Sequence, residues 1–275
     1  DIPYRRRRRE QGVSDLRVDS LWGTDADGST RDSLSDPLGG PLRVRLDAPA
    51  RRNALTLATV EQLHRLLDAE PTRTLLLGST TPGSFSAGAD LDVDDATRAR
   101  LSDLLYACYE QMVTRPGIVI AVVEGAAVGG GAQLSTAADL RTASSGARWR
   151  WVGPGHGLAV GSWILPSLLG RSRALDLTLT SRWLHVDEAV AAGFISRVDD
   201  DPWSAAAEIA AGLARADVDA VARVKRVATR GPLLDRLRAE REGNRAAWSG
   251  AAPSARIARS ARFHPAAGGP RSDQS

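Results

Sequence analysis

Two short stretches constrain the fold more than the rest of the chain. They are Ser84-Phe85-Ser86-Ala87-Gly88-Ala89-Asp90-Leu91 and Glu124-Gly125-Ala126-Ala127-Val128-Gly129-Gly130-Gly131-Ala132-Gln133-Leu134. In each, an apolar strand runs into a turn of small residues that opens a helix. The first backbone N–H groups of a helix have no partner inside it and carry the positive end of its dipole. Two such turns facing one another make a hole that a carbonyl oxygen can enter closely, because alanine and glycine leave room. Donors fixed in advance around a developing oxyanion are often the largest single catalytic term. The plainer alternative is that the glycines only permit tight strand–helix packing.

Around these stretches the chain alternates. Leu42 to Leu46 has the two-residue period of a half-buried strand, Leu55 to Leu67 has apolar residues at helical spacing, and Thr74 to Ser79 is a short buried strand. The unit recurs with a helix over Ala96 to Val113, a β-branched strand over Ile118 to Val123, a helix over Gly130 to Ala138 and a strand over Leu140 to Ser144. Strands alternating with helices predict an α/β fold with parallel pairing and right-handed crossovers. From Trp163 onward the pattern is helical, over residues 164–179, 186–192, 203–229 and 233–248. Residues 1–40, rich in Asp, Ser, Gly and Arg, read as a disordered basic and polar lead-in. The expected division is a core over 41–200, a helical C-terminal region over 201–258 and a flexible tail over 259–275.

Composition narrows the function classes. A chain of 275 residues can bury a substantial core. No apolar run approaches the roughly 20 residues needed to cross a bilayer, and the basic start has no apolar signal segment, so a cytoplasmic protein with no membrane partner is expected. Cys108 is the only cysteine, which excludes an intrachain disulfide. The net charge of +3 is concentrated in Arg5 to Arg9. That run reads as a solvated tail in preference to a nucleic-acid site. All but one of the 36 basic residues are arginine, the exception being Lys225, which reads as a coding bias. No His, Cys, Asp or Glu cluster has metal-ligand spacing, so no metal is expected.

Four segments together resemble the crotonase superfamily, the enoyl-CoA hydratase/isomerase family. Leu46-Asp47-Ala48-Pro49-Ala50-Arg51-Arg52-Asn53-Ala54-Leu55 is similar to its L-x-x-P-x-x-R-N-A-L segment, and Phe85 to Leu91 to its F-x-A-G-A-D-L. Glu124 to Asp139 is similar to its G-x-x-x-G-G-G-x-x-L-x-x-x-x-D, and Val186 to Val198 to its A-x-E-A-x-x-x-G-L-V-x-x-V. The resemblance covers residues 41–200 and implies a crotonase-type ββα spiral with a helical C-terminal oligomerisation region. It also implies a homotrimer or dimer of trimers.

The same resemblance assigns roles residue by residue. The backbone N–H groups of Ala89 and Gly130 become the oxyanion donors for a CoA thioester. Arg51, Arg52, Ala54, Ala87 and Asp90 become the candidates for contact with CoA, which enters as part of the substrate with no other cofactor. At the acid/base positions the chain departs from the family. The first glutamate of the hydratases falls on Gln133, and an amide cannot titrate. The second falls on Gly153 or Gly155. His156 is the one side chain in that altered segment able to move a proton near neutral pH, or else a loop-packing histidine. Asp90 and Asp92 either orient a water or cap the next helix, and Glu124 and Asp139 brace the fold. The expectation is a lyase or isomerase acting on an acyl-CoA through a thioester enolate, without the two-glutamate pair. The alternatives are a CoA-independent β-diketone hydrolase of retro-Claisen type and a catalytically silent acyl-CoA-binding member.

Overall fold

The computed structural model describes residues 15–21 and 40–249, so the Arg5–Arg9 run and the tail over 259–275 lie outside the described residues. Strand β1 (Leu16–Ser20) pairs antiparallel with β2 (Leu42–Leu46), Leu16 opposite Leu46 and Ser20 opposite Leu42. This corrects the expectation that the fold starts near Leu42 and that residues 1–40 are a disordered lead-in throughout. The strand was hidden by its polar face. Arg17 bonds Asp47, and Arg45 Nη2 lies 2.9 Å from Asp19, so its pairing is carried partly by cross-strand charges.

The chain then winds through β3 (Ala54–Leu55), α1 (Leu57–Ala69), β4 (Leu75–Ser79), β5 (Gly83–Ser86), β6 (Gly88–Ala89) and α2 (Asp95–Thr114). A second turn follows with β7 (Val119–Val123), β8 (Gly125–Val128), α3 (Gly130–Ala137), β9 (Leu140–Ala143) and β10 (Arg148–Arg150). The remainder is α4 (Leu165–Leu169), α5 (Arg171–Thr180), β11 (Leu184–His185), α6 (Val186–Ala191), β12 (Arg197–Val198), α7 (Pro202–Ala214), α8 (Val218–Thr229) and α9 (Pro232–Ser249). One of the expected continuous helices is broken. Residues 164–179 divide at Gly170, a breaker already visible in the sequence, but 203–229 divide unexpectedly where the Asp217 carboxylate accepts from Ala220 N at 2.7 Å and starts α8.

One sheet has the order β1-β2-β4-β7-β9-β12, parallel apart from β1. A second has the order β11-β10-β8-β5, and β3 pairs with β6 in a third, two-stranded one. Strand β7 is buried along its whole length. Its Ile120 and Val122 meet Leu76 and the alanines Ala206 and Ala210 of α7, while Val119, Ala121 and Val123 enter the main core. A strand covered on both faces needs a continuous apolar run, and Ile118 to Val123 supplies it.

Helices α1 and α2 show their packing in their spacing. In α1, Val60, Leu63 and Leu67 are buried, and the Thr56 hydroxyl caps the first turn by accepting from Thr59 N. In α2, Leu101, Leu105, Cys108 and Met112 bury one stripe, and Tyr106 and Tyr109 turn toward the segment around residue 160 and toward α9. Asp94 caps α2 through Thr97 N at 2.9 Å, so neither Asp90 nor Asp92 is its cap. The lone lysine is structural. Lys225 Nζ donates to the carbonyls of Met112 and Gly117 and to Asp139 Oδ2 at 2.7 Å, tying α8 to the end of α2.

Candidate active site

The first small-residue loop is pinned from below by Asn53. This buried residue adopts φ 55°, a left-handed conformation that asparagine tolerates better than most. Its Oδ1 accepts from Ala48 N at 2.8 Å, and its Nδ2 donates to Ser79 Oγ and to the Phe85 carbonyl at 3.1 Å. Ser86 Oγ donates to the Asn53 carbonyl at 2.7 Å and accepts from Gly88 N at 3.1 Å. Gly88 sits at φ +95°, and a Cβ there would stand 2.8 Å from the Val128 carbonyl, so only glycine fits where the two loops meet.

The second loop is the N-terminus of α3. Gly130 is the first residue of that helix, so its N–H lies outside the helix's own ladder and at the positive end of its dipole. A Cβ on Gly130 would lie 3.4 Å from Ala89 N, which places both backbone segments against one small space. Tyr109 from α2 donates its hydroxyl to the Gly130 carbonyl at 3.0 Å and fixes that peptide.

The space opens into a cavity of about 130 Å³ lined by both loops, Ala87, Gly88 and Ala89 on one side and Gly129 and Gly130 on the other. Its apolar wall is Leu101, Leu105, Val152, Leu158, Val160 and Trp248. Arg98, Ser102, Tyr106, Gln133, His156 and Asn244 supply polar side chains, and among the described residues no Asp or Glu lines it.

Tyr106, Gln133 and Asn244 belong to one buried network. Gln133 Oε1 accepts from Gly161 N at 3.0 Å and from Trp163 Nε1 at 2.8 Å. Tyr106 donates to Glu240 Oε1 at 2.7 Å and accepts from Asn244 Nδ2 at 2.9 Å. Glu240 also accepts from Gly161 N and Trp163 N, and Asn244 bonds both backbone groups of Ala159. Burial raises the Glu240 carboxyl above its ordinary range against the pull of these donors. Burial, followed by the charge of Glu240, holds the Tyr106 hydroxyl well above its usual value, so it stays protonated at neutral pH.

The structure thus brings five of the nine expected site residues, Ala87, Ala89, Gly130, Gln133 and His156, to one cavity. The other four lie beside it. Arg51 Nη2 is 2.7 Å from Asp15 Oδ2, and its other guanidinium nitrogen is 3.7 Å from Asp90. Asp90 Oδ1 accepts from Asp92 N. Arg52 offers its carbonyl to Ala87 N at 2.9 Å, and Ala54 pairs with Gly88 across β3 and β6. At Gly153 a Cβ would come within 2.7 Å of the Leu158 carbonyl, so this position has no room for a glutamate without backbone movement. Glu124 accepts from the Trp203 indole at 2.8 Å, and Asp139 accepts from Val119 N, both bracing contacts.

Sequence reasoning missed Asn53 as the anchor of the first loop, and Tyr106, Glu240 and Asn244 altogether. Asn53 stood inside a recognised motif. The other three come from helices whose spacing showed which residues are buried but not that two distant stretches meet.

Comparison with known proteins bears on the family and the fold. The sequence model of the family described as "Enoyl-CoA hydratase/isomerase" matches residues 39–260. The "Probable enoyl-CoA hydratase echA6" of Mycobacterium tuberculosis is 34% identical over 180 residues, 62% of this chain and 72% of that protein. The human mitochondrial methylglutaconyl-CoA hydratase is 33% identical over 165 residues, 54% of this chain and 47% of its own length. Among solved structures, an enoyl-CoA hydratase from Mycobacterium avium subsp. paratuberculosis superposes with a TM-score of 0.74 at 21% identity, covering 92% of this chain and 96% of that one. With the fold, the paired loops and a family match spanning most of its length in agreement, the chain belongs to the enoyl-CoA hydratase/isomerase family, within the crotonase superfamily.

Proposed function

We propose that this protein acts on an acyl-CoA by stabilising a thioester enolate between the backbone N–H groups of Ala89 and Gly130. The observation that carries the reading is the meeting of two small-residue loops at one apolar cavity, where a Cβ on Gly88 would overlap the Val128 carbonyl and a Cβ on Gly130 would lie in contact with Ala89 N. Polarising the thioester oxygen acidifies the α-carbon, and two fixed donors at the developing charge supply most of the stabilisation. The apolar wall fits an acyl group. Arg51, Arg52, Ala54 and Asp90, on the segment beside the loops, are proposed for the CoA portion, with Arg52 free of the carboxylates that hold Arg51.

The reaction proposed is isomerisation, decarboxylation or C–C cleavage, in preference to hydration. Relatives carry hydratase names, but Gln133 is an amide, Gly153 lacks space, and the described cavity lining has no carboxylate. His156, part-buried on the same wall, supports a second reading in which it activates water for retro-Claisen cleavage of a β-diketone without CoA. Thermal unfolding separates the two: CoA or butyryl-CoA should raise Tm in the first case only. A homotrimer or dimer of trimers is also proposed, supported by exposed Leu179 on α5, Val190 on α6 and Val224 and Val227 on α8. Light scattering on the purified protein tests it. A cytoplasmic location is proposed as well; among the described residues no helix is long and apolar enough to cross a membrane.

A further inference from the structure

The cavity lacks a carboxylate at its wall, yet a carboxylate lies one hydrogen bond behind it. Glu240 comes from α9, far from every segment that carries the family resemblance, and is 6% exposed. It touches the cavity only through Tyr106, whose hydroxyl donates to Glu240 Oε1 at 2.7 Å. Asn244 Nδ2 donates to the same hydroxyl oxygen at 2.9 Å, while Gln133 Nε2 stands at 3.5 Å. The second lone pair of the Tyr106 oxygen is therefore only weakly engaged.

We propose that Tyr106 is the catalytic residue that exchanges a proton with the substrate α-carbon, and that Glu240 is the positioning residue that takes the hydroxyl proton as it does so. The proposal rests on the acyl-CoA reading above. In the step, the α-carbon C–H bond breaks and its electron pair enters the enolate held by Ala89 and Gly130. The Tyr106 oxygen bonds the released proton, and its original proton passes to Glu240 Oε1. Return of the proton to the α- or γ-carbon reverses both transfers, so nothing else is consumed. Burial, which raises the carboxyl of Glu240, brings it closer in basicity to a group that can accept and return a proton near neutral pH.

The arrangement also explains the amide at position 133. Gly161 N is 3.0 Å from Gln133 Oε1 and 3.0 Å from Glu240 Oε1, so the two side chains share one donor. A glutamate at 133 would bring a second carboxylate to that amide, and two carboxylates sharing a site do not both ionise readily. The neutral amide is the complement of the carboxylate at 240.

The test follows 3-butenoyl-CoA in D₂O, reading deuterium at the α-carbon and formation of crotonyl-CoA, with Tm and thioester binding measured in parallel. Tyr106→Phe should bind the thioester normally and lose on the order of 100-fold in exchange. Glu240→Gln should lower the rate and abolish the acidic limb of its pH profile. The groups facing Glu240 are Tyr106 and Tyr109 from α2, with His156 across the cavity and Arg236 donating to the Trp163 carbonyl. The limb must therefore persist in His156→Ala. Gln133→Glu should be slow alone and regain activity when combined with Glu240→Gln. Exchange by Tyr106→Phe within threefold of the parent overturns the proposal, as does an unchanged pH profile in folded Glu240→Gln. If Tyr106→Phe keeps exchange while Gly130→Val loses it, the enolate reading stands and this proposal falls. If the parent protein neither binds nor exchanges the thioester, both fall.

Discussion

The two walls of the cavity are built on opposite principles. The wall made by β6 and the start of α3 presents backbone groups, and its requirements on side chains are that they be small and that Asn53 hold them in place. The wall made by α2, the loop over residues 158–163 and α9 presents side chains, each position depending on a partner far away in sequence. The first wall is local and can be specified by a short motif. The second is a tertiary product, and a change in any member leaves a buried polar group unpaired, at a cost of about 1–3 kcal/mol.

Replacing one residue on each wall should break them differently. On the backbone wall, Gly130→Val fills the space 3.4 Å from Ala89 N and should lower turnover on the order of 100-fold while Tm changes little. A folded Gly130→Val protein with full turnover would remove this loop from the chemistry. Asn53→Ala should act on the same wall through stability, costing about 2–4 kcal/mol in denaturant unfolding because a buried, left-handed hub is lost. A loss under about 1 kcal/mol would show that the loop holds itself.

On the other wall, Gln133→Ala strips the Trp163 indole of its acceptor and one acceptor from Gly161 N. The expected cost is about 1–3 kcal/mol, with an accompanying rise in KM for an acyl-CoA. Crotonyl-CoA hydration by the unaltered protein should fall well below about 10 per second, a typical enzymatic turnover. Hydration at that rate would reveal a water-activating carboxylate that the described cavity lining does not supply.

The smallest effect is a pH dependence in which the α2–α9 seam works against itself. Arg241 and Arg245 hold the Asp103 carboxyl far below its ordinary value, so this pairing contributes fully above about pH 4 and is lost as pH falls further. Glu240 is shifted upward, so its burial penalty is absent below its unfolded pKa of about 4.3 and grows as pH rises through its folded value. The docking of α9 should therefore be strongest near pH 4–5. Tm should decline on both sides, with Asp103→Asn flattening only the acid side. Asp103 is about one-third exposed, so its share should stay within about 1 kcal/mol.

The parallel core was legible because its signals are periodic and local. Ile118 to Val123 reads as a β-branched strand and the Gly129–Gly131 loop as a helix-opening turn, whatever they pack against, whereas the expectation that the first loop also opens a helix is corrected, because Gly88–Ala89 forms β6 and α2 begins only at Asp95. Strand β1 was not legible, because its Arg17 and Asp19 acquire meaning only opposite Asp47, Arg43 and Arg45. The same limit applied to the division at Asp217, where a cap interrupts continuous helical spacing.

The sequence by itself therefore determined the alternation of the main strands and helices between residues 42 and 144 and the family, together with both small-residue loops and the absence of a carboxylate at positions 133 and 153. Each of these is a property of neighbouring residues or of residue size. Tertiary structure alone decided that Asn53 anchors the first loop, that Asp94 caps α2 where Asp90 and Asp92 were expected to, and that Tyr106 meets Glu240 across 134 positions of chain. Such a contact leaves no periodic trace in either helix. Tyr106 and Glu240 each look like one more partly apolar position on an amphipathic surface until the fold closes and removes water from between them.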